Sequence, residues 1–272
     1  MRPRWPKDAP LHNLLRRRWL IPLLFSDPST FYSSLAKDAE LLVDRIRPHP
    51  GTYKALDWPA ALEQITTWRH EAASVMRELP LQETEKEVLT TLEQVRAASP
   101  WKAGYNSDLR LARALYLVCR LLRPATVVET GVAYGLSSAY MLTALDVNRH
   151  GHLYSVDLPP LGGDASRLQG ALISDRFRSR WKLHSGTSRR ILPGLLAGKR
   201  VDVFVHDSLH TYRTMRWEFE TAWPQIPSGG ALIADDIEGN RAYQELLARR
   251  PAFSCVVRQA DKPAALFGIA IK

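Results

Sequence analysis

Three carboxylates and two imidazoles gather at the ends of two short stretches of this chain, VDVFVHDSLHTY and GGALIADDI. Each stretch is an apolar run that ends in acid. Asp207 closes the first, with His206 and His210 beside it, and Asp235 and Asp236 close the second. Apolar runs of this length, bounded by turn residues and separated by a helical stretch, read as neighbouring strands of a parallel sheet, and ligands bind outside the carboxyl ends of such strands. Three carboxylates converging there, with no Lys or Arg in their own motifs, would repel one another and raise their pKa values. A hard divalent cation removes that repulsion. An all-oxygen set of Asp207, Asp235 and Asp236 suits Mg²⁺, which keeps positions open for water or substrate oxygens. Taken alone, the Asp235-Asp236 pair is more often a loop or helix cap, so Asp207 on the adjacent strand is what turns it into a candidate metal site.

A second group of residues lies in ATVVETGVAYGLSS, from Ala125 to Ser138. Val127 and Val128 lead to an acid, Glu129, then to a turn through Gly131 and Gly135, and a helix starts at Leu136. A strand, a glycine turn and a helix N-terminus together make a nucleotide site in an open α/β sheet. A pyrophosphate needs G-x-G-x-x-G for close backbone approach, and here Ala133 stands where the middle glycine would be. A ligand with a carboxylate and an amine at the turn and a ribose further off needs only close backbone approach, a helix N-terminus for the anion and an acid for the cation. S-adenosylmethionine is such a ligand. Asp157, at the end of LYSVDLPP, is placed to accept both ribose hydroxyls, and in HSGTSRRILPGL Gly186 and Ser188 can approach an adenine edge, with Ser188 also readable as a plain helix N-cap.

These residues need a scaffold that brings strand ends together, and the second half of the chain supplies the pattern. A helix over 107–122, capped by Asn106 or Ser107, precedes strands at 126–129, 152–156, 181–184, 201–205 and 231–234. Helices at 136–145, near 165–173, and at 188–196, 212–223 and 240–249 separate or follow them, and two strands at 253–257 and 265–271 follow one another with no helix between. Such alternation implies right-handed βαβ units and a mostly parallel sheet covered on both faces, with an antiparallel hairpin at one edge. The expected fold is therefore α/β, a Rossmann-like seven-stranded sheet. Residues 1–100 form a second region, a helical extension expected to act as a cap or an oligomerisation arm. Its clearest amphipathic stretches are SDPSTFYSSLAKDAELLVDRI and PLQETEKEVLTTLEQVRAA.

The net charge of +9 raises the question of a polyanionic partner. The excess is concentrated at the start, in Arg2, Arg4, Lys7, Arg16, Arg17 and Arg18. LHNLLRRRWLIPLLF, from Leu11 to Phe25, could form a short basic amphipathic helix broken by Pro22. Contact with a membrane surface is one reading of it. The favoured one is a packed arm, because no long basic stripe with interleaved aromatics continues it, and no nucleic-acid partner is expected. No apolar run approaches the roughly 20 residues of a membrane span, and MRPRWPKDAP lacks the apolar core of a secretory signal, so a cytoplasmic protein is expected. Cys119 and Cys255 are the only cysteines and are expected to be buried thiols.

Taken in order, VVETGVAYGLSS, LYSVDLPP, SGTSRRILPGL, VFVHDSLHTY and GGALIADDI resemble the class I S-adenosylmethionine-dependent O-methyltransferases over about residues 101–272. They are most similar to the metal-dependent small-molecule group that includes macrocin O-methyltransferase and, more distantly, catechol O-methyltransferase. The resemblance implies Glu129, Gly131 and Ser137 at the methionine end of the cofactor, Asp157 at the ribose, and Ser188 and Arg189 near adenine. It places Asp207, Asp235 and Asp236 on Mg²⁺ or another divalent cation, and His210 as the general base. His206 stands where these families carry an aliphatic residue, and Ser208-Leu209 where macrocin-type enzymes often have Gly-Asp. The implied reaction is in-line transfer of the sulfonium methyl to a metal-bound hydroxyl whose proton His210 takes. The acceptor would be a vicinal diol on a sugar, polyketide or aromatic ring, and the enzyme a homo-oligomer. Two other readings use the same scaffold: a cephalosporin-hydroxylase-like enzyme, and a non-catalytic binding or oligomerisation protein. An NAD-dependent oxidoreductase is disfavoured by the glycine spacing.

Overall fold

The structure, a computed structural model, describes residues 28–98, 108–158 and 168–272. The basic stretch 1–20 and the expected amphipathic helix at 11–25 lie outside the described residues. Among the described residues five helices precede the sheet: α1 (Pro28–Ile46), α2 (Trp58–Trp68), α3 (Ala72–Val75), α4 (Leu79–Ala98) and α5 (Leu109–Leu122). Then follow β1 (Thr126–Thr130), α6 (Leu136–Val147), β2 (His152–Asp157), β3 (Trp181–Ser185), α7 (Ser188–Leu196), β4 (Val203–His206), α8 (Tyr212–Ala222), β5 (Ala231–Ala234), α9 (Ala242–Leu247), β6 (Phe253–Arg258) and β7 (Leu266–Ile271).

The strands form one sheet in the order β3-β2-β1-β4-β5-β7-β6. β1 pairs in parallel with both β2 and β4, β2 with β3 and β4 with β5, whereas β7 runs antiparallel to β5 and β6. Chain order reverses between β1 and β4, which is where an open sheet leaves a crevice for ligands. Alternate strand residues feed two cores, as the period of two demands. Val127, Val203, Val205 and Ile233 face α5 and α6, and Val128, Phe204, Leu232 and Ala234 face α7, α8 and α9.

The described part of the N-terminal region is built into the first core. Ala61, Ile65, Ala72, Val75, Leu81, Val88 and Leu92 pack in one cluster with α5, α6 and the sheet. The Thr84 and Thr143 hydroxyls bond at 2.8 Å, and Arg113 grips Glu85 with two bonds of 2.9 and 2.5 Å. Leu56 adds a parallel bridge to Val257 on β6, the outermost strand. Helix α1 docks by its acids: Glu40 accepts from the Thr211 and Thr214 hydroxyls at 2.9 and 2.6 Å, and Asp44 accepts from the Tyr212 backbone N–H at 2.7 Å. Both carboxylates therefore sit at the positive N-terminus of α8. The outer face of α1 leaves Tyr32, Leu41, Val43 and Ile46 exposed.

Two expected helices change. The described residues of the one expected near 165–173 are turns, because Gly170 has a left-handed φ of 72° and two of its backbone donors are taken by the glycine turn. Gly170 N–H donates to Ala133 O and Leu172 N–H to Tyr134 O. The helix expected over 240–249 shrinks to α9, since Ile237–Gly239 first forms a 3₁₀ turn. The cap of α5 is Asp108, which bonds Arg110 N–H at 2.8 Å; the expected Asn106 and Ser107 lie outside the described residues. Both cysteines are buried free thiols, and burial pushes Cys255 up to about 12.

Candidate active site

The glycine turn closes directly on the acid cluster. Gly131 has φ 86°, and a Cβ there would lie 1.9 Å from the backbone oxygen of Asp207, so only glycine fits between β1 and β4. Gly135, φ 88°, starts α6 and lies against Ile173 and Gly170. Ala133, in the place of a middle glycine, itself adopts a left-handed φ of 48°. Glu129 does not face open space. Ser138 and Ser155 donate to Oε1 at 2.5 and 2.6 Å, Ser137 approaches Oε2 at 3.4 Å, and the carboxyl is 1% exposed. Burial raises its pKa to about 7 and the charges of Asp207 and Asp157 add to that, against the serine hydrogen bonds. Glu129 thus anchors the start of α6, and so does Ser137, which is equally buried.

At the end of β2, Asp157 Oδ2 accepts from the backbone N–H groups of Val132 and Ala133, both at 3.1 Å, while Oδ1 accepts from Leu158 N–H at 2.8 Å. The acid expected at a ribose also holds the glycine turn in shape. Burial moves its pKa up, opposed by Gln169 and these amides. At the end of β3 the cap of α7 is Thr187 rather than Ser188, with Arg190 N–H on its hydroxyl at 3.3 Å. Gly186 leaves room for Arg190, whose guanidinium would lie 2.5 Å from a Cβ there. Arg189, expected near adenine, is engaged by other elements. Its guanidinium stacks 4.9 Å from the Trp217 ring, lies 3.5 Å from Glu40 and donates to Arg213 O at 3.4 Å, which ties α7 to α1 and α8.

The ends of β4 and β5 bring together Asp207, His210, Asp235 and Asp236. A ring nitrogen of His210 and one oxygen each of Asp207 and Asp235 lie within 4.8 Å of one another. Asp236 stands differently. Its Oδ2 is 3.3 Å from His210 Nδ1, and its Oδ1 accepts from Gln259 Nε2 at 2.8 Å. Both of its oxygens are engaged within the cluster, so of the expected trio Asp207 and Asp235 converge with His210 while Asp236 stands behind the imidazole. Its left-handed φ of 46° aims the carboxylate there. His210 Nε2 is buried without a hydrogen-bond partner, 3.7 Å from Asp207 Oδ1. Burial opposes a charged imidazole, but Asp207 and Asp236 outweigh it and raise His210 to about 10. Asp235 is pushed well above the usual carboxylate range by burial and then by the charges of Asp207 and Asp236. Asp236 is lowered: the His210 and Gln259 contacts overcome its burial.

Two further groups support this cluster. Gln259, 3% exposed, donates to Asp235 Oδ1 at 2.7 Å as well as to Asp236. Asp108 and Arg110 clamp its loop: Asp108 Oδ2 accepts from Ala260 and Asp261 N–H, and Arg110 donates to Gln259 O. A lone glutamine after an edge strand carries no signal in the sequence. Beneath β4, His206 and Glu218 are fully buried 2.6 Å apart, and Thr130 and Ser208 also donate to Glu218 at 2.6 and 2.8 Å. The polar residue where an aliphatic one was expected therefore belongs to a buried network that fixes the backbone on both sides of Asp207. Burial opposes the Glu218 charge, but His206 keeps it below the usual range.

Residues 128–237 match the family model described as a methyltransferase domain. No curated protein matches the chain. Among solved structures, the O-methyltransferase from Bacillus cereus in complex with SAH aligns with a TM-score of 0.55 at 17% identity, over 76% of this chain and 100% of that one. TomG, an O-methyltransferase from Streptomyces achromogenes involved in tomaymycin synthesis and bound to SAM, gives 0.54 at 16% identity, over 68% and 89%. PaMTH1 from Podospora anserina, bound to SAH, gives 0.53 at 12% identity, over 68% and 88%. The seven-stranded sheet is therefore that of the class I methyltransferase fold, and its middle portion, residues 128–237, is similar to a methyltransferase domain.

Proposed function

We propose that the protein transfers the methyl group of S-adenosylmethionine to a hydroxyl of a small molecule. The observation that carries this is the contact between Gly131 and the backbone of Asp207, which sets the cofactor turn and the acid cluster side by side at the switch point of the sheet. A sulfonium methyl held at the turn is then presented to an oxygen held at the cluster, the alignment an in-line displacement needs. The Val132–Gly135 backbone and the start of α6 would receive the methionine end, and the remaining lone pairs of Asp157 the ribose. Nucleophilic attack needs the acceptor hydroxyl deprotonated. The donors present, two carboxylates with an imidazole, fit a divalent cation, which when bound would lower the hydroxyl pKa and fix its oxygen. His210 stands inside this donor set, its ring nitrogen within 4.8 Å of Asp207 and Asp235 oxygens, so we assign it to holding the geometry of the site rather than to the resident base. A vicinal diol, able to offer two oxygens to the cluster, is the acceptor class.

The test is methyl transfer from labelled S-adenosylmethionine to a panel of catechols, sugar diols and polyketides, run beside calorimetric titration with S-adenosylhomocysteine. Binding of S-adenosylhomocysteine together with label on an acceptor oxygen is expected. Failure to bind it would overturn the reading, and label found only on nitrogen or carbon would overturn the oxygen acceptor.

A further inference from the structure

The acid cluster contains an arrangement that an all-oxygen magnesium site would not use. His210 lies between two sets of carboxylates, and its nitrogens are treated differently. Nδ1 is 3.3 Å from Asp236 Oδ2, close enough for its N–H to engage that carboxylate. Nε2 is sealed from solvent, has no hydrogen-bond partner and looks toward Asp207 at 3.7 Å. A buried imidazole nitrogen with no partner is a cost the fold carries unless something binds it. A histidine whose other nitrogen is engaged by a carboxylate is oriented, and made more basic, as a metal ligand. One oxygen each of Asp207 and Asp235 completes a triangle with a ring nitrogen of His210, all within 4.8 Å, close enough for one ion to reach after small side-chain rotations. Gln259 holds the second row, donating to Asp235 Oδ1 at 2.7 Å and Asp236 Oδ1 at 2.8 Å.

We propose that this site takes a transition-metal dication through one nitrogen and two carboxylates, Asp207, His210 Nε2 and Asp235, with Asp236 and Gln259 as positioning residues. The proposal rests on the reading above that the cluster holds a cation, and it changes both ligand set and metal. Imidazole suits Fe²⁺, Ni²⁺ and Zn²⁺, with Co²⁺ between the first two in the affinity order, whereas Mg²⁺ prefers oxygen alone, so the site discriminates against Mg²⁺. Asp236 is spared from ligation because both of its oxygens are used, one to aim the imidazole and one on the Gln259 amide.

The experiment is binding of the metal alone to the full, untagged chain, with S-adenosylhomocysteine titration as an independent check of the fold. Co²⁺ should bind one per chain at least 100-fold more tightly than Mg²⁺ and give visible absorption bands of mixed nitrogen and oxygen ligation. His210→Ala should weaken Co²⁺ at least tenfold and shift those bands, yet leave Mg²⁺ affinity within twofold. Asp236→Asn should weaken Co²⁺ by about 10- to 100-fold, the range for a carboxylate behind a metal-bound histidine. Equal affinity of the wild-type chain for Co²⁺ and Mg²⁺, or a Co²⁺ spectrum unchanged in His210→Ala, overturns the nitrogen ligand. That wild-type comparison stands even if a variant fails to fold. No binding of either ion overturns both this proposal and the cation of the preceding reading, while methyl transfer in EDTA would leave the transfer reading intact.

Discussion

Two residues carry sharp expectations. The stabilising effect of His210 depends on pH, because its folded pKa of about 10 lies above the ordinary 6.5. Its contribution is complete below about pH 6.5 and is lost as pH rises through about 10, since the protonated form is the one its carboxylate neighbours favour. In the metal-free protein the melting temperature should therefore fall between neutral pH and pH 10, and that fall should be smaller in His210→Gln. Parallel melting curves for the two proteins over this window would show that the carboxylates do not hold the proton. Asp157 has two duties, the glycine turn and the proposed ribose contact. Asp157→Ala should weaken S-adenosylhomocysteine binding by about 1–3 kcal/mol, the scale of lost charge-assisted hydrogen bonds, and unchanged calorimetric affinity would remove it from the site.

At the scale of elements, the strand–turn–helix unit of β1 and α6 is held from three sides. Asp157 caps the turn, Glu129 and its serines pin the start of α6, and Asp207 presses on Gly131. Gly131→Ala must place a side chain at φ 86° and within 1.9 Å of a backbone oxygen. The conformation alone costs on the order of 1–3 kcal/mol. The clash cannot relax without parting β1 from β4. The expected result is a folded but less stable protein that has lost measurable S-adenosylhomocysteine binding; binding at wild-type strength would show that the cofactor lies elsewhere. Helix α1 belongs to the same scale. Glu40 and Asp44 reach the N-terminus of α8 immediately after His210, so the extension braces the loop that carries the cluster.

For the whole molecule, the question is whether the first hundred residues are an attachment or part of the fold. Ile65, Leu81, Val88 and Leu92 are each at most 5% exposed and share a core with the sheet. At about 1.5–3 kcal/mol per large buried side chain, these four alone represent roughly 6–12 kcal/mol. That is comparable to the whole stability of a typical domain, about 5–15 kcal/mol. A shortened chain beginning at Trp101 should therefore fail to unfold cooperatively and should aggregate, as judged by calorimetry and light scattering. A monodisperse, active product would make the extension a dispensable tether.

The strand and helix pattern of residues 109–271 was legible in the chain because buried parallel strands are short apolar runs and each ends in chemistry-bearing residues. Gly131, Asp157, Asp207 and Asp235 could be located for that reason: position at a strand end follows from local order. The direction in which a side chain points from that end does not. Arg189 is a cofactor residue only by resemblance, and its side chain is engaged by Glu40, Trp217 and Arg213 O. Asp236 reads as a third ligand, and one left-handed residue and an amide from Gln259 set it behind His210. Glu129 reads as an open acid, and Ser138 and Ser155 seal it. In each case the deciding partner lies on another element, often far along the chain, and only tertiary packing brings such partners within hydrogen-bond range. The same limit hid the place of residues 56–92, whose amphipathic faces declared a need for burial but could not name the sheet as the surface that meets it.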